Sequence, residues 1–301
     1  MQATLSRLLL TTCLVVLQMS PAFAERQCLP EGASLPEAWR TNYAPHKVIG
    51  NLYSVGGVDL AAYLITTPEG HILINTGLED STADITSNIN ALGFDIENVK
   101  VLLVMQAHFD HAAALAEIKT ISGAQMWATK ADAPILEGGG ANDPHFGECT
   151  DFRFRAVKVD RLLEHGDLIE LGGMTLQTHH HPGHTQGSSS YSFLHREGDQ
   201  AYNVVIANMG SINDGKKLLV DPTYPGIAED FATTYQRQLN MPVDIWVAAH
   251  ASQYKRSTKY QPGQAYDPET FVDPEGFKAE VKRLSAIYED QLAAERKNAA
   301  D

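Results

Sequence analysis

Short apolar runs broken by turn residues dominate the first half of the chain and predict β-strands. The stretches "HKVIGNLYSVGG" and "LAAYLITTPEGHILINTG" are punctuated by glycine and proline, as in an antiparallel meander. The run "VKVLLV" is almost continuously apolar, which is typical of a strand covered on both faces. A second series of strand-like runs follows over residues 155–209. The chain therefore has two strand-rich halves.

Helical periodicity separates and follows these strands. "ADITSNINALGF" has apolar residues at helical spacing and ends at Gly93, and "HAAALAEIKTISG" predicts a helix ending at Gly123. "PGIAEDFATTYQRQLN" and the stretch from residue 273 onward predict two further helices. Two strand-rich halves, each followed by helices, favour an α/β fold with two packed sheets and helices outside them.

The first 24 residues have the pattern of a secretory signal peptide. Arg7 precedes an apolar run over residues 8–17, and Ala22-Phe23-Ala24 matches a cleavage site. A membrane anchor is the alternative, but a spanning helix needs roughly 20 apolar residues. We therefore expect cleavage after residue 24 and a periplasmic product without membrane attachment. We also expect a single domain over residues 25–301.

Charge and cysteine content narrow the possible partners. The chain has 37 acidic and 23 basic residues, a net charge of −14, and no basic cluster. Such a surface repels phosphates, which disfavours nucleic acid as a partner.

Of the three cysteines, Cys13 lies in the predicted signal peptide. Cys28 and Cys149 can form a disulfide in an oxidising compartment or remain unpaired, and both alternatives stay open.

The stretch "MQAHFDH" crowds candidate metal ligands directly after an apolar strand. Gln106 and His108 are two positions apart on an extended segment, so their side chains can point the same way. Asp110 and His111 follow at the turn into the next helix. Imidazole and carboxylate groups bind zinc, and a catalytic zinc takes three protein ligands plus water. A helix N-cap at Asp110 beside structural histidines is the alternative for the single residues.

Two later segments add histidines to this candidate site. His184 lies in the tight turn of "HHHPGHT", which can aim its ring, and we interpret His179–His181 as neighbours of the site. His250 ends the apolar run "IWVAAH". A lone histidine at a strand end is usually structural, but two ligand clusters upstream favour a metal-binding role here.

These motifs carry a resemblance to a known family. "QAHFDH", "HPGHT" and the distant "AAHAS" resemble the H-x-H-x-D-H, H, H signature of the metallo-β-lactamase superfamily. The opening meander and "VDIWVAAHASQ" are similar to subclass B3 members, and the glutamine in the motif is similar to the GOB-type group. The resemblance covers essentially all of residues 25–301. It implies the four-layer αββα sandwich of that superfamily.

The resemblance also implies Zn²⁺ as the cofactor, as one or two ions. Because a neutral amide oxygen is a weaker zinc donor than an imidazole nitrogen, the glutamine-containing site should bind zinc less tightly than the other. The implied ligands fall into a first set of Gln106, His108 and His184 and a second set of Asp110, His111 and His250.

The implied activity is hydrolysis of the β-lactam amide bond by metal-bound hydroxide, which would confer antibiotic resistance. Penicillins, cephalosporins and carbapenems are the implied substrates, and no serine nucleophile is needed. Asp110 would orient the water as well as bind metal. Ser188, Met209 and Ser211 are candidate substrate-binding residues, and solvated hydroxyls are the alternative for the two serines. Asn75, where the superfamily often has aspartate, is interpreted as turn-forming.

Two other functions remain open, because one fold can host several chemistries. The first is a zinc lactonase or another metallo-hydrolase of the superfamily. The lack of a clear bridging aspartate before "VVIANM" argues against it. The second is a secreted zinc-binding protein without catalysis, which has no need for the Asp110-His111 pair. We expect a monomer whose partner is a small-molecule β-lactam.

Overall fold

The computed structural model describes residues 28–29 and 32–300, so the predicted signal peptide lies outside the described residues. The strands are β1 (His46–Ile49), β2 (Leu52–Ser54), β3 (Tyr63–Thr67), β4 (Gly70–Ile74), β5 (Val99–Leu103), β6 (Gln125–Thr129), β7 (Arg161–Leu163), β8 (Leu168–Leu171), β9 (Met174–His180), β10 (Ser189–Glu197), β11 (Gln200–Ala207) and β12 (Ile245–Ala248). The α-helices are α1 (Glu37–Arg40), α2 (Thr82–Ala91), α3 (Phe109–Ala112), α4 (Leu115–Ser122), α5 (Ala133–Glu137), α6 (Ile227–Asn240), α7 (Arg256–Lys259) and α8 (Pro274–Ala300).

The strands form two sheets. The first sheet runs in chain order from β1 to β7, antiparallel as far as β4 and parallel from β4 onward. The second sheet has the order β12-β11-β10-β9-β8, in which only β11 and β12 pair in parallel. The predicted opening meander and the predicted hairpin of β10 and β11 are confirmed.

Alternation along β4 explains how the first sheet separates two cores. Ile72 and Ile74 belong to the core shared with the second sheet, whereas Leu73 between them belongs to the core under the helices. Successive side chains of a strand point to opposite faces, so an uninterrupted apolar strand contributes to both layers. Ile89 of α2 and Ile118 of α4 complete the outer core.

Helices α6 and α8 cover the outer face of the second sheet. Phe231 and Tyr235 of α6 pack against Tyr288 of α8, with ring centroids 6.1 and 5.6 Å apart. Phe277 of α8 lies 5.4 Å from Trp246 of β12. The layers are therefore helix, sheet, sheet and helix, which confirms the predicted αββα sandwich.

The helix predicted up to Gly123 is wrong in one respect, because it is broken into α3 and α4. The carbonyl of His111 accepts a hydrogen bond from the Thr76 N–H, and the Ala113 N–H donates to the Gly77 carbonyl. These bonds tie the helix start to the turn after β4 and interrupt the helical ladder. The predicted end is confirmed, since Gly123 has a left-handed backbone with φ of 67°.

Cys28 and Cys149 form a disulfide, with Cα atoms 5.2 Å apart. The bond joins the start of the described chain to the long loop between α5 and β7. This settles the pairing that the sequence left open. In the described part of the chain, no helix combines the length and apolar character needed to cross a membrane.

Candidate metal centre

Five of the six predicted ligands meet at one edge of the sandwich, beyond the carboxyl ends of β5, β9 and β12, and Gln106 follows β5 in the same segment. The segment that follows β5 of the first sheet carries Gln106, His108, Asp110 and His111. The second sheet contributes His184 after β9 and His250 after β12. Each ligand set therefore combines side chains from both sheets.

The second set is compact. Oδ2 of Asp110 lies 3.2 Å from Nε2 of His111 and 3.4 Å from Nε2 of His250. One potential ligand atom from each of the three residues falls within 4.8 Å of the others. Burial alone would raise the pKa of the Asp110 carboxyl, but the two histidines outweigh burial and hold it well below its usual range. Asp110 is thus an anionic donor at neutral pH.

Asp59 orients the ring of His250, and sequence reasoning did not identify it. Its Oδ2 lies 3.0 Å from Nδ1 of His250 and accepts a hydrogen bond from Nε1 of Trp39 at 3.2 Å. Because a carboxylate only accepts, Nδ1 carries a ring hydrogen that faces Asp59, and Nε2 is the nitrogen left to bind a metal ion when its own hydrogen is displaced. Asp59 comes from a loop far from His250 in sequence, and no spacing pattern indicates the contact.

The metal-free protein should lose stability between about pH 6.5 and 9, and His250 should be a cause. Burial lowers the pKa of His250, but Asp110 and Asp59 outweigh burial and raise it to about 9. Because the folded-state pKa lies above the unfolded value of 6.5, protonation of His250 stabilises the folded protein fully below pH 6.5. This contribution is lost as the pH rises through 9. Melting temperatures of chelator-treated protein across this range test it. His250→Ala should flatten the decline, and an identical decline in both proteins would contradict the assignment.

In the first set, a backbone carbonyl that accepts a hydrogen bond orients the ring of His184. Nδ1 of His184 donates to the carbonyl of Ser211 at 2.7 Å, which leaves a lone pair on Nε2. That nitrogen lies 3.1 Å from Nδ1 of His108. Gln106 lies two positions before His108 in the sequence, and its side chain is buried. Its Oε1 has no hydrogen-bond partner among the described residues.

These donor atoms fit zinc. Buried polar atoms normally find a partner. However, Oε1 of Gln106 makes no hydrogen bond within the described part of the chain, and Nε2 of His111 has a carboxylate oxygen of Asp110 at 3.2 Å but no aligned hydrogen bond. Two facing imidazole nitrogens 3.1 Å apart can share one metal ion, since Zn–N distances are about 2.0–2.1 Å. The donors are an amide oxygen, a carboxylate and imidazole nitrogens, which suit zinc.

Asp132 fastens the two segments that carry the first set, and sequence reasoning missed it too. Its buried carboxylate accepts hydrogen bonds from the Ala107 N–H at 2.9 Å, the Thr185 hydroxyl at 2.9 Å and the Gly187 N–H at 2.8 Å. Burial raises the pKa of Asp132, and these bonds lower it only in part. One side chain thereby fixes the backbone beside His108 and beside His184.

Asn75 has a conformational and a positioning role. Its backbone has a φ of 62°, which confirms the predicted turn. Its Oδ1 accepts a hydrogen bond from the Met105 N–H at 2.9 Å, and its Nδ2 lies 3.4 Å from Nδ1 of His111. The side chain therefore also contacts a metal ligand, which the turn-forming interpretation did not include.

A cavity of about 430 Å³ is lined by two members of each ligand set, but not by Gln106 or His111 as described. Phe109 stacks on Phe152 with ring centroids 4.5 Å apart, and Trp39 lies 5.7 Å from the His250 ring. Phe146 packs edge-on against His108 at 5.0 Å. We call Trp39, Phe109, Phe146 and Phe152 the aromatic wall, because all four line the cavity.

The three candidate substrate-binding residues lie in different environments. Ser211 lines the cavity. The prediction for Ser188 is corrected, because its side chain is fully buried and its hydroxyl accepts a hydrogen bond from the Thr185 N–H at 2.9 Å. Met209 is likewise buried in the core between the sheets and is absent from the cavity lining as described. A ligand could reach only Ser211 directly.

The histidines at 179–181 do not line the cavity as described. Nε2 of His179 lies 2.7 Å from the Ser192 hydroxyl, and Nδ1 of His181 lies 2.7 Å from the Ser190 hydroxyl. These contacts hold the edge of β9 against β10. The prediction that these residues are neighbours rather than ligands agrees with this arrangement.

Comparison with known proteins identifies the family. The family model of the metallo-beta-lactamase superfamily matches residues 55–197. The class B3 di-zinc metallo-beta-lactamase LRA-12 from an Alaskan soil metagenome is 43% identical, with a TM-score of 0.83, over 86% of this chain and 98% of that chain. The chain belongs to the class B3 metallo-β-lactamases. This confirms the assignment to subclass B3.

A second solved structure is also similar to this chain. The metallo-beta-lactamase GOB-18 from Elizabethkingia meningoseptica is 39% identical, with a TM-score of 0.84, over 89% of this chain and 99% of that chain. A more distant curated relative of this B3 chain is hydroxyacylglutathione hydrolase GloC from Haemophilus influenzae, 28% identical over 117 residues. The chain spans only 53% of that hydrolase. Membership of the B3 family implies zinc binding.

Proposed function

We propose that this protein hydrolyses the amide bond of β-lactams with the help of zinc. The observation that carries the proposal is that two members of each ligand set, His108 with His184 and Asp110 with His250, line one cavity bounded by an aromatic wall. The cavity volume lies in the range of sites for small organic ligands. Membership of the B3 family supports this substrate class over others on the same fold.

The first set would hold one zinc ion and the second set another. Bound zinc supplies water with a pKa lowered to about 7 and polarises a carbonyl oxygen. Asp110 lines the cavity as a carboxylate, so it can accept a hydrogen bond from the attacking water and orient it. The aromatic wall packs against the apolar parts of the substrate and excludes water around the scissile bond. Ser211 offers a hydroxyl to a polar substituent.

The two zinc sites should differ in affinity, and Gln106→His should reduce the difference. An imidazole in place of the amide oxygen should tighten the first site by about tenfold, equivalent to about 1.4 kcal/mol. Zinc competition with a chromophoric chelator measures this. Gln200→His, at an exposed position, is the matched control and should change nothing. An unchanged affinity in Gln106→His would mean that the amide is not a ligand.

A lactonase or thioesterase on the same fold is the alternative. The residue directly after β11 is Asn208, whose Nδ2 donates to the Met105 carbonyl at 3.1 Å. Asn208 is thus a neutral, buried side chain engaged with the backbone, and it does not supply a carboxylate that bridges two metals. This contact favours the β-lactamase proposal.

Turnover assays on purified protein distinguish these functions. Penicillin, cephalosporin and carbapenem substrates should be hydrolysed in zinc-containing buffer, and excess chelator should abolish the hydrolysis. A lactone and a glutathione thioester serve as parallel substrates. Turnover of either of these with none of any β-lactam would overturn the proposal, and zinc binding without any turnover would favour a non-catalytic protein.

The proposal includes export and domain organisation. Residues 1–24 would act as a signal peptide, and residues 25–301 would form one domain that works as a monomer in the periplasm. The disulfide supports an oxidising compartment. N-terminal sequencing of the periplasmic product tests the cleavage site, and a mature protein that still contains Arg7 would contradict it.

A further inference from the structure

Asp143 is a buried carboxylate next to the first ligand set that the proposed reaction does not use. It lies in the long loop after α5, which the disulfide tethers. Its Oδ1 accepts hydrogen bonds from the N–H groups of His145 and Phe146, both at 2.7 Å. Its Oδ2 lies 3.2 Å from Nε2 of His108. One oxygen therefore shapes the loop, and the other faces a metal ligand.

The carboxylate and the ring are not aligned as a hydrogen bond, but their 3.2 Å separation favours one position for the ring hydrogen of His108. A carboxylate can only accept, so it favours the hydrogen on Nε2 and leaves the lone pair on Nδ1. That nitrogen faces Nε2 of His184, whose own lone pair is freed by the donation from Nδ1 to Ser211. Without Asp143, nothing described around His108 selects the metal-binding tautomer.

The charge balance at the first set also points to Asp143. Gln106, His108 and His184 are neutral donors, in contrast to the second set, which contains a carboxylate. The buried ammonium of Lys216 donates to the His184 carbonyl and adds positive charge close to the site. A dication bound there needs a nearby anion, since buried charges are unfavourable unless they are paired.

We propose that Asp143 is a positioning residue for the first zinc, which fixes the tautomer of His108 and supplies the negative charge that the Gln-His-His donor set lacks. This inference rests on the proposed two-zinc site. It parallels the contact between Asp59 and His250 at the second set, so each zinc would have one histidine held by a carboxylate.

The test is Asp143→Asn, which separates the two roles of the side chain. The amide oxygen can still accept from His145 and Phe146, so the loop keeps its turn. The amide NH₂ facing His108 donates instead of accepting, which drives the ring hydrogen to Nδ1 and blocks metal binding. Loss of such a partner typically costs about 10–100-fold in metal affinity. Zinc competition should show that loss in a His250→Ala background, where only the first set is complete.

Two controls make the result specific. In a His108→Ala background, where only the second set is complete, Asp143→Asn should leave zinc affinity unchanged. Asp59→Asn should show the reverse dependence, weakening zinc binding only when the second set is complete. Equal effects of Asp143→Asn in both backgrounds would indicate general damage to the fold and would overturn the proposal.

A measurement on the unmodified ligand set does not depend on how well the variant folds. Nitrogen-15 NMR of the zinc-loaded wild-type protein should show the His108 hydrogen on Nε2, with Nδ1 facing the metal, and Asp143→Asn should lose this pattern. A hydrogen on Nδ1 in the wild type would overturn the proposal. These readouts do not involve β-lactam turnover, so a protein that binds zinc as described but hydrolyses no β-lactam would refute the proposed function alone.

Discussion

Asp110→Asn should lower β-lactam turnover by at least about 10²-fold, more than the loss of an outer hydrogen-bond partner of a metal ligand typically costs. Asp110 is the carboxylate of the second set, and its Oδ2 lies within 3.4 Å of both histidines of that set. Asparagine preserves the shape but removes the negative charge that attracts the metal. Steady-state kinetics at fixed zinc, together with zinc content by mass spectrometry, measure both effects.

Asp199→Asn is the matched control for this variant. It makes the same chemical change in the exposed turn between β10 and β11. It should leave kcat, KM and zinc content unchanged, and the melting temperature of both variants shows whether the fold is intact. Wild-type turnover in Asp110→Asn with full zinc content would show that this carboxylate is not needed, and the proposed role of Asp110 would then be wrong.

Removing the disulfide should have the largest effect on stability, about 2–5 kcal/mol in the free energy of unfolding. Cys28 and Cys149 are 121 positions apart, so the bond restricts a long segment in the unfolded chain. It also holds the start of the described chain against the loop that carries Phe146 and Phe152. Denaturant unfolding of the oxidised protein and of the variant with both cysteines replaced by serine measures the difference.

The same variant should bind substrate less well. Leu29, next to Cys28, lines the cavity together with the aromatic wall. Releasing this segment should raise KM more than it lowers kcat, because the metal ligands lie on other segments. Reductant applied to the wild type should reproduce the change, and it should not alter the serine variant further. Equal stability of oxidised and serine proteins would show that the bond does not constrain the fold.

Local patterns predicted much of the fold because its strands and helices carry strong periodicity. The apolar run of β5 and the glycine at the end of α4 needed no long-range information. The break between α3 and α4 could not be predicted in this way. It depends on the hydrogen bonds from the Thr76 N–H to His111 and from the Ala113 N–H to Gly77. Thr76 and Gly77 follow β4, and they approach the helix only in the folded state.

The candidate site likewise contains residues that the sequence spacing indicated and residues that only the folded structure reveals. Gln106, His108 and Asp110 are close in sequence, so their spacing already indicated a shared role. Asp59 and Asp143 lie 191 and 35 positions from the histidines they face, and single carboxylates in loops carry no spacing signal. Ser188 failed as a substrate contact because its buried hydroxyl bonds to Thr185 within the turn before β10, and no sequence pattern indicated that contact.

Because each ligand set draws on both sheets, each bound zinc would act as a cross-link between the two halves of the sandwich. A ligand that binds only the folded state stabilises that state, so bound zinc would hold the two sheets together at this edge. The metal-free chain would then open first along the line between β5 and the ends of β9 and β12. Zinc supply would set the lifetime of the protein against proteases as well as its activity.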